Sequence, residues 1–165
     1  VTSRDDDFAA KLEVGKDGER VVAARLLRRG CSVLPLYQFD ADRAPSVLSG
    51  DQRIVLPDLL CWPTGGGEQF FVEVKLKHQW VRWNGRRETG FSARLLPHYQ
   101  AVQTVTGSSV YVAFVHEVAA PLGIFVADLA RLIPLRREWD GLSPSGQRVS
   151  EPLTLFPADA LRELL

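Results

Sequence analysis

The segment Phe70-Phe71-Val72-Glu73-Val74-Lys75-Leu76-Lys77 constrains the fold more than any other stretch of the chain. It is strongly apolar, yet Glu73, Lys75 and Lys77 occupy every second position. Successive side chains of a strand point to opposite faces, so these three charges share one face while Val72, Val74 and Leu76 fill the other. Just upstream, Leu56-Pro57-Asp58-Leu59-Leu60-Cys61-Trp62 runs into the loop Pro63-Thr64-Gly65-Gly66-Gly67. The pattern predicts a hairpin of two strands, about Arg53 to Trp62 and Gln69 to Lys77. Acids and lysines on adjacent strands are costly to place against a core unless they bind something.

The hairpin carries a register condition. Asp58 and Glu73 face the same side only if the cross-strand pairs sum to an odd number, as when Asp58 lies opposite Glu73 or Lys75. Pairing Trp62 with Phe70 would turn Asp58 away unless a bulge intervenes.

Around this hairpin the chain reads as alternating helix and strand. Gly18 to Arg29 forms a helix with Asp17 as N-cap and Gly30 as its stop, its apolar face being Val22, Ala23, Leu26 and Leu27. Glu19 lies on that face in the first turn; it serves either the helix dipole or the carboxylates of the hairpin. Ser32 to Phe39 is a strand, and Asp40 to Gly50 a polar loop. Pro97 to Thr106 is a helix ended by Gly107, with Gln100 and Gln103 sharing one side. Ser109 to His116 and Gly123 to Val126 are strands, and Ala127 to Ile133 a short helix. Pro134 to Glu151 is irregular. Leu153 to Phe156 closes as a strand and Pro157 to Leu165 as an amphipathic helix. Val1 to Asp7 is polar and frayed.

At 165 residues, 45% hydrophobic and 24% charged, the chain supports one folded domain, with a core over about 17–133 and a C-terminal extension over 134–165. A net charge of zero argues against holding nucleic acid through global charge. The local distribution differs: Lys75, Lys77, Arg82, Arg86, Arg87 and Arg94 face a single acid, Glu88, between Lys75 and His98. That is either a phosphate-facing patch or a solvated basic loop. Trp80 and Trp83 within it suit either base stacking or packing. Cys31 and Cys61 lack metal-ligand spacing and read as buried free thiols. His78, His98 and His116 read as surface or packing residues, and Tyr99 as packed against the sheet. No stretch has the length of a membrane span and no signal peptide is visible, which points to the cytoplasm. The absence of Met, with Val1 first, points to a trimmed or renumbered start.

Two facing carboxylates and an amine suit phosphodiester hydrolysis. That reaction needs an activated water, neutralised charge on phosphorus and a stabilised leaving oxygen, and magnesium on oxygen ligands supplies these. Asp58, Glu73 and the Val74 carbonyl are the candidate ligands, with manganese as a substitute ion. Lys75 is the candidate for polarising the attacking water.

The succession of Glu19 on a first helix, Pro57-Asp58, fourteen residues, Glu73-Val74-Lys75 and a Gln-bearing helix resembles the PD-(D/E)XK, restriction-endonuclease-like nuclease superfamily. In layout it is similar to Holliday-junction resolvases and virus-type replication-repair nucleases. The resemblance spans about residues 17 to 116. It implies an α/β fold with an αβββαβ core, a mixed sheet flanked by helices, and magnesium-dependent cleavage of DNA. It further implies that Asp58 and Glu73 are metal ligands, Lys75 the catalytic lysine, Glu19 the first-helix acid, and Gln100 (with Gln103 competing) the site glutamine. Lys77, Arg82, Arg86, Arg87 and Arg94 would contact DNA. Resolvase-like members are dimers, so a homodimer is the assembly the resemblance offers. The rival readings are a non-catalytic nucleic-acid binder that keeps this core and a partner-binding subunit anchored by Trp80 and Trp83.

Overall fold

In the computed structural model, residues 17–36, 45–118, 120–142, 145–148 and 150–165 are described. They form helix α1 (17–28) and strands β1 (Cys31–Pro35), β2 (Ser46–Ser49), β3 (Gln52–Val55), β4 (Leu59–Pro63), β5 (Phe70–Lys77), β6 (Val81–Trp83) and β7 (Arg86–Ser92). Helix α2 (Leu96–Thr106), strands β8 (Ser109–His116) and β9 (Gly123–Asp128), helix α3 (Leu129–Leu132) and strands β10 (Arg137–Trp139), β11 (Leu153–Pro157) and β12 (Arg162–Glu163) complete it. The expectations for Val1 to Asp7 and for 37–44 lie outside the described residues.

The main sheet is mixed, in the order β1-β4-β5-β8-β9-β12, and only β5 and β8 are parallel. Taken in sequence, α1, β1, β4, β5, α2 and β8 make an αβββαβ core. The parallel step requires a crossover, which β6, β7 and α2 supply. Every second residue of β5 faces α2: Phe71 joins Val110, Val112 and Phe114 of β8, with Leu96, Tyr99 and Val102 of α2 packed above them. On the opposite face Val72 and Val74 pack with Ala113 and Val115 against Val22 and Leu26 of α1. The charged positions Glu73, Lys75 and Lys77 therefore lie on the α2 side, between that helix and a second sheet.

This second sheet has the order β10-β11-β7-β6 and covers the α2 side through Phe91 and Phe156. Gly90 is required where β7 crosses β11, because a Cβ there would overlap the Thr154 carbonyl. The β6–β7 hairpin turns at Asn84-Gly85, both with positive φ (48° and 76°), the conformation that suits Asn-Gly between twisted strands.

Several sequence expectations need correction. The strand expected from Arg53 to Trp62 is broken at Leu56-Pro57-Asp58 into β3 and β4; proline has no N–H to give a ladder. Residues 46–49, expected as loop, pair with β3. Asp17 is itself helical and pairs with Arg20 rather than capping. The expected helix over Pro157 to Leu165 is a 3-10 turn (Ala158–Ala160) followed by β12, which pairs with β9. There an open edge of the main sheet satisfies the backbone better than an isolated short helix would. Within the stretch expected to be irregular, β10 adds to the second sheet.

Candidate active site

The register decides whether the acids meet. Leu59 pairs with Val72 and Cys61 with Phe70, so the paired numbers sum to 131. Continued by one residue, that register sets Asp58 opposite Glu73, on the same face. Asp58 follows Pro57 and precedes β4, so its side chain is positioned by its own hydrogen bond instead of the ladder: Oδ2 accepts the Val74 N–H at 2.7 Å.

Glu73 is 3% exposed and forms an ion pair with the Lys75 ammonium, itself 27% exposed. The Tyr99 hydroxyl, from α2, lies in hydrogen-bonding reach of Glu73 and 1% of the residue is exposed. Burial, then the neighbouring Glu73, raises the Asp58 carboxyl well above its ordinary range; Lys75 and the Val74 bond pull the other way. Burial disfavours the Lys75 ammonium, but Glu73 and Asp58 outweigh it and the amine is held above its usual value. Tyr99 is raised, first by burial and then by the Glu73 charge, so its proton stays in place. Two acids, a protonated lysine and a neutral tyrosine thus form one buried electrostatic unit.

Glu19, half-buried on α1, bears electrostatically on both Asp58 and Lys75. Lys77, two residues beyond Lys75, is lowered to about 8 by burial and by Lys75, partly offset by Glu151. On α2, Gln100 is exposed and Gln103 half-buried, while the helix side chain that reaches Glu73 is Tyr99. The sequence reading assigned Tyr99 to packing alone; its phase with Leu96 and Val102 gave no sign that its hydroxyl met an acid.

Arg82, Arg86, Arg87 and Arg94 are exposed. Arg94 lies 3.8 Å from Glu151, and the other three make no ion pair among the described residues. Trp80 is not available for base stacking: 7% exposed, it stacks on His116 at 3.7 Å and donates its Nε1–H to the Pro121 carbonyl. Cys61 is buried and Cys31 half-buried, both free, and burial pushes the Cys61 thiol up to about 12.

No cluster of three or more His, Cys, Asp or Glu side chains able to hold a metal occurs among the described residues. The oxygen donors available are the Asp58 and Glu73 carboxylates and the Val74 carbonyl. Such a set fits magnesium, which keeps several waters and uses one or two carboxylates, better than zinc.

No family model matches the sequence, and no curated protein does. Solved structures match in fold. Holliday junction resolvase Hjc of Archaeoglobus fulgidus superposes with a TM-score of 0.54 at 14% identity, over 91% of this chain and 96% of that one. The fold is restriction-endonuclease-like. D212, a nuclease from a fusselovirus, aligns at a TM-score of 0.48 and 12% identity, over 92% of this chain and 88% of that one. Within the restriction-endonuclease-like core, Asp58 precedes the second core strand, Glu73 and Lys75 lie on the third, and Tyr99 on the helix after it. Among the described residues no helix is long and apolar enough to cross a membrane.

Proposed function

We propose that this protein is a metal-dependent nuclease that hydrolyses phosphodiester bonds of DNA. The observation that carries the reading is the odd-sum register of β4 and β5, which sets Asp58 facing the Glu73–Lys75 pair. A carboxyl such as Asp58, raised by burial and then by the neighbouring Glu73, is expensive to keep, and such expense concentrates at working sites.

In this reading Asp58, Glu73 and the Val74 carbonyl hold magnesium. Once bound, the ion supplies Lewis-acid charge at the phosphate and lowers the pKa of a water. The protein's own groups do the rest. Lys75, held protonated, places a positive charge beside the attacked phosphorus and orients the water by donating to it. Its raised pKa makes it an electrostatic group and not the resting-state base. Tyr99 holds the Glu73 carboxylate in one orientation. Glu19 adds negative potential from α1, and Lys77 with Arg82, Arg86, Arg87 and Arg94 contacts the DNA backbone.

The test is cleavage of labelled DNA with magnesium or manganese by the wild type, Glu73→Gln and Lys75→Ala. The expected result is metal-dependent cutting that falls on the order of 10²-fold or more in each variant. Equal cutting by all three proteins would end the proposal.

A further inference from the structure

A cleft of about 1360 Å³ opens on the outer face of the second sheet, lined by Trp80, Trp83, Arg82, Arg137, Trp139 and neighbours. Register explains its character. Trp83 pairs with Arg86, Glu88 with Pro157, Arg137 with Leu155 and Trp139 with Leu153, which puts Trp83, Arg86, Glu88, Arg137 and Trp139 on one face. Trp83 is 51% exposed but is not loose. The Arg137 guanidinium lies over its ring at 4.7 Å from the centroid, and Glu88 fixes that guanidinium through two nitrogens at 2.5 and 3.1 Å. One face of the indole is therefore braced and the ring is held open to the cleft.

The charges beside it make a second observation. Arg86 shares the Trp83 face, and Arg82, though it alternates to the other face with Arg87, also lines the cleft; neither Arg82 nor Arg86 has an ion-pair partner among the described residues. A preset aromatic platform beside unpaired guanidiniums matches a base and its phosphates. The cleft also adjoins the candidate active site along the chain: β5 carries Glu73, Lys75 and Lys77 and runs into Gln79 and Trp80 at the cleft wall. β5 ends at Lys77 and the chain bends at His78, so Gln79 lies at most roughly 13 Å from Lys75.

The geometry points to a subsite for an unpaired strand of the nucleic-acid substrate, with a base stacked on the open face of Trp83 and phosphates held by Arg86 and Arg82. It rests on the nuclease reading for the class of polymer. The substrate class it specifies is DNA with a single-stranded segment, such as a flap, a splayed end or an open junction, in preference to continuous duplex. Duplex bases have no free face to offer an indole, whereas unpaired ones do.

The test is fluorescence-anisotropy binding, without divalent ions, of labelled oligo-dT of about 16 nucleotides and of a closed hairpin duplex. The proteins are the wild type, Trp83→Ala, Trp83→Phe and the double variant Arg82→Ala/Arg86→Ala. Trp83→Ala is expected to weaken oligo-dT about 10-fold and leave the duplex within about 2-fold, whereas Trp83→Phe retains most of the affinity. The double variant should reduce the slope of log affinity against log salt by about 1.4. Oligo-dT binding that ignores Trp83, equal weakening of both probes, or a wild type that binds no oligo-dT would overturn the subsite; the last result would leave the cleft to a peptide partner. Magnesium-dependent cleavage is run in parallel. Trp83-dependent binding without cleavage sinks the nuclease reading and keeps the subsite, and cleavage with Trp83-independent binding does the reverse.

Discussion

Asp58 Oδ2 accepts the backbone N–H of Val74 at 2.7 Å, fastening the carboxylate to the peptide between Glu73 and Lys75. The carboxyl is nonetheless raised by burial and by Glu73, so its ionised form works against folding. Asp58→Asn should therefore stabilise the protein while abolishing cleavage. The expected gain in Tm is roughly 2–4 °C, the shift that about 1 kcal/mol produces at this size. Calorimetry checks it; an unchanged or lowered Tm would refute the strain.

Tyr99→Phe removes only the hydroxyl that meets Glu73, and the ring keeps its packing against Phe91. The variant should fold with wild-type cooperativity and lose about 10-fold in kcat at similar KM, as one hydrogen bond of about 1.4 kcal/mol implies. Loss confined to KM would place Tyr99 in substrate binding instead.

Lys77 is lowered to about 8, so its charge is present below that pH and fades above it. DNA affinity should fall as pH rises from 7 to 9, by the loss of one phosphate contact, and Lys77→Arg should flatten that fall. Binding titrations across the range, at constant salt, decide it. The linkage to folding has the opposite sense. The folded state holds this proton less tightly than the unfolded chain, so stability rises from about pH 8 toward 10.5.

His116 is buried against Trp80 with neither ring nitrogen bonded, and burial lowers it to about 4. The unfolded chain protonates near 6.5, the folded one only near 4. Stability should thus be full above about 6.5 and drain away as pH falls toward 4. His116→Phe keeps a ring under Trp80 and should flatten this acid limb in denaturant melts at pH 4.5 compared with pH 7.

What the sequence made legible follows from how physical signals are written in it. The alternation of Glu73, Lys75 and Lys77 in an apolar run is a period-two signal, and it placed these residues on the right face of β5. The parity condition on Asp58 was stated from sequence, and the Leu59–Val72 pairing satisfies it. Pro97 and Gly107 marked α2 within one residue of its start. Other features depend on partners far along the chain. Nothing local in Leu161 to Leu164 shows that β9 offers a free edge, so an apolar spacing read as helical became β12. Gln100 and Tyr99 are adjacent on α2 and about 100° apart around it. Choosing which of them reaches the sheet requires the packed helix axis, which no short-range pattern supplies. The burial of Trp80 likewise depends on His116 and Phe125, two distant strands away.

The β6–β7 hairpin is spliced between β5 and α2, and its tip, 82–87, is exposed on both strands. That tip can change in sequence or length without disturbing the pairings of β4, β5 and β8. If the proposed activity holds, recognition and scission would thereby be uncoupled in heredity: a lineage could retune what it grips by editing a few surface codons and inherit the site on β4 and β5 intact.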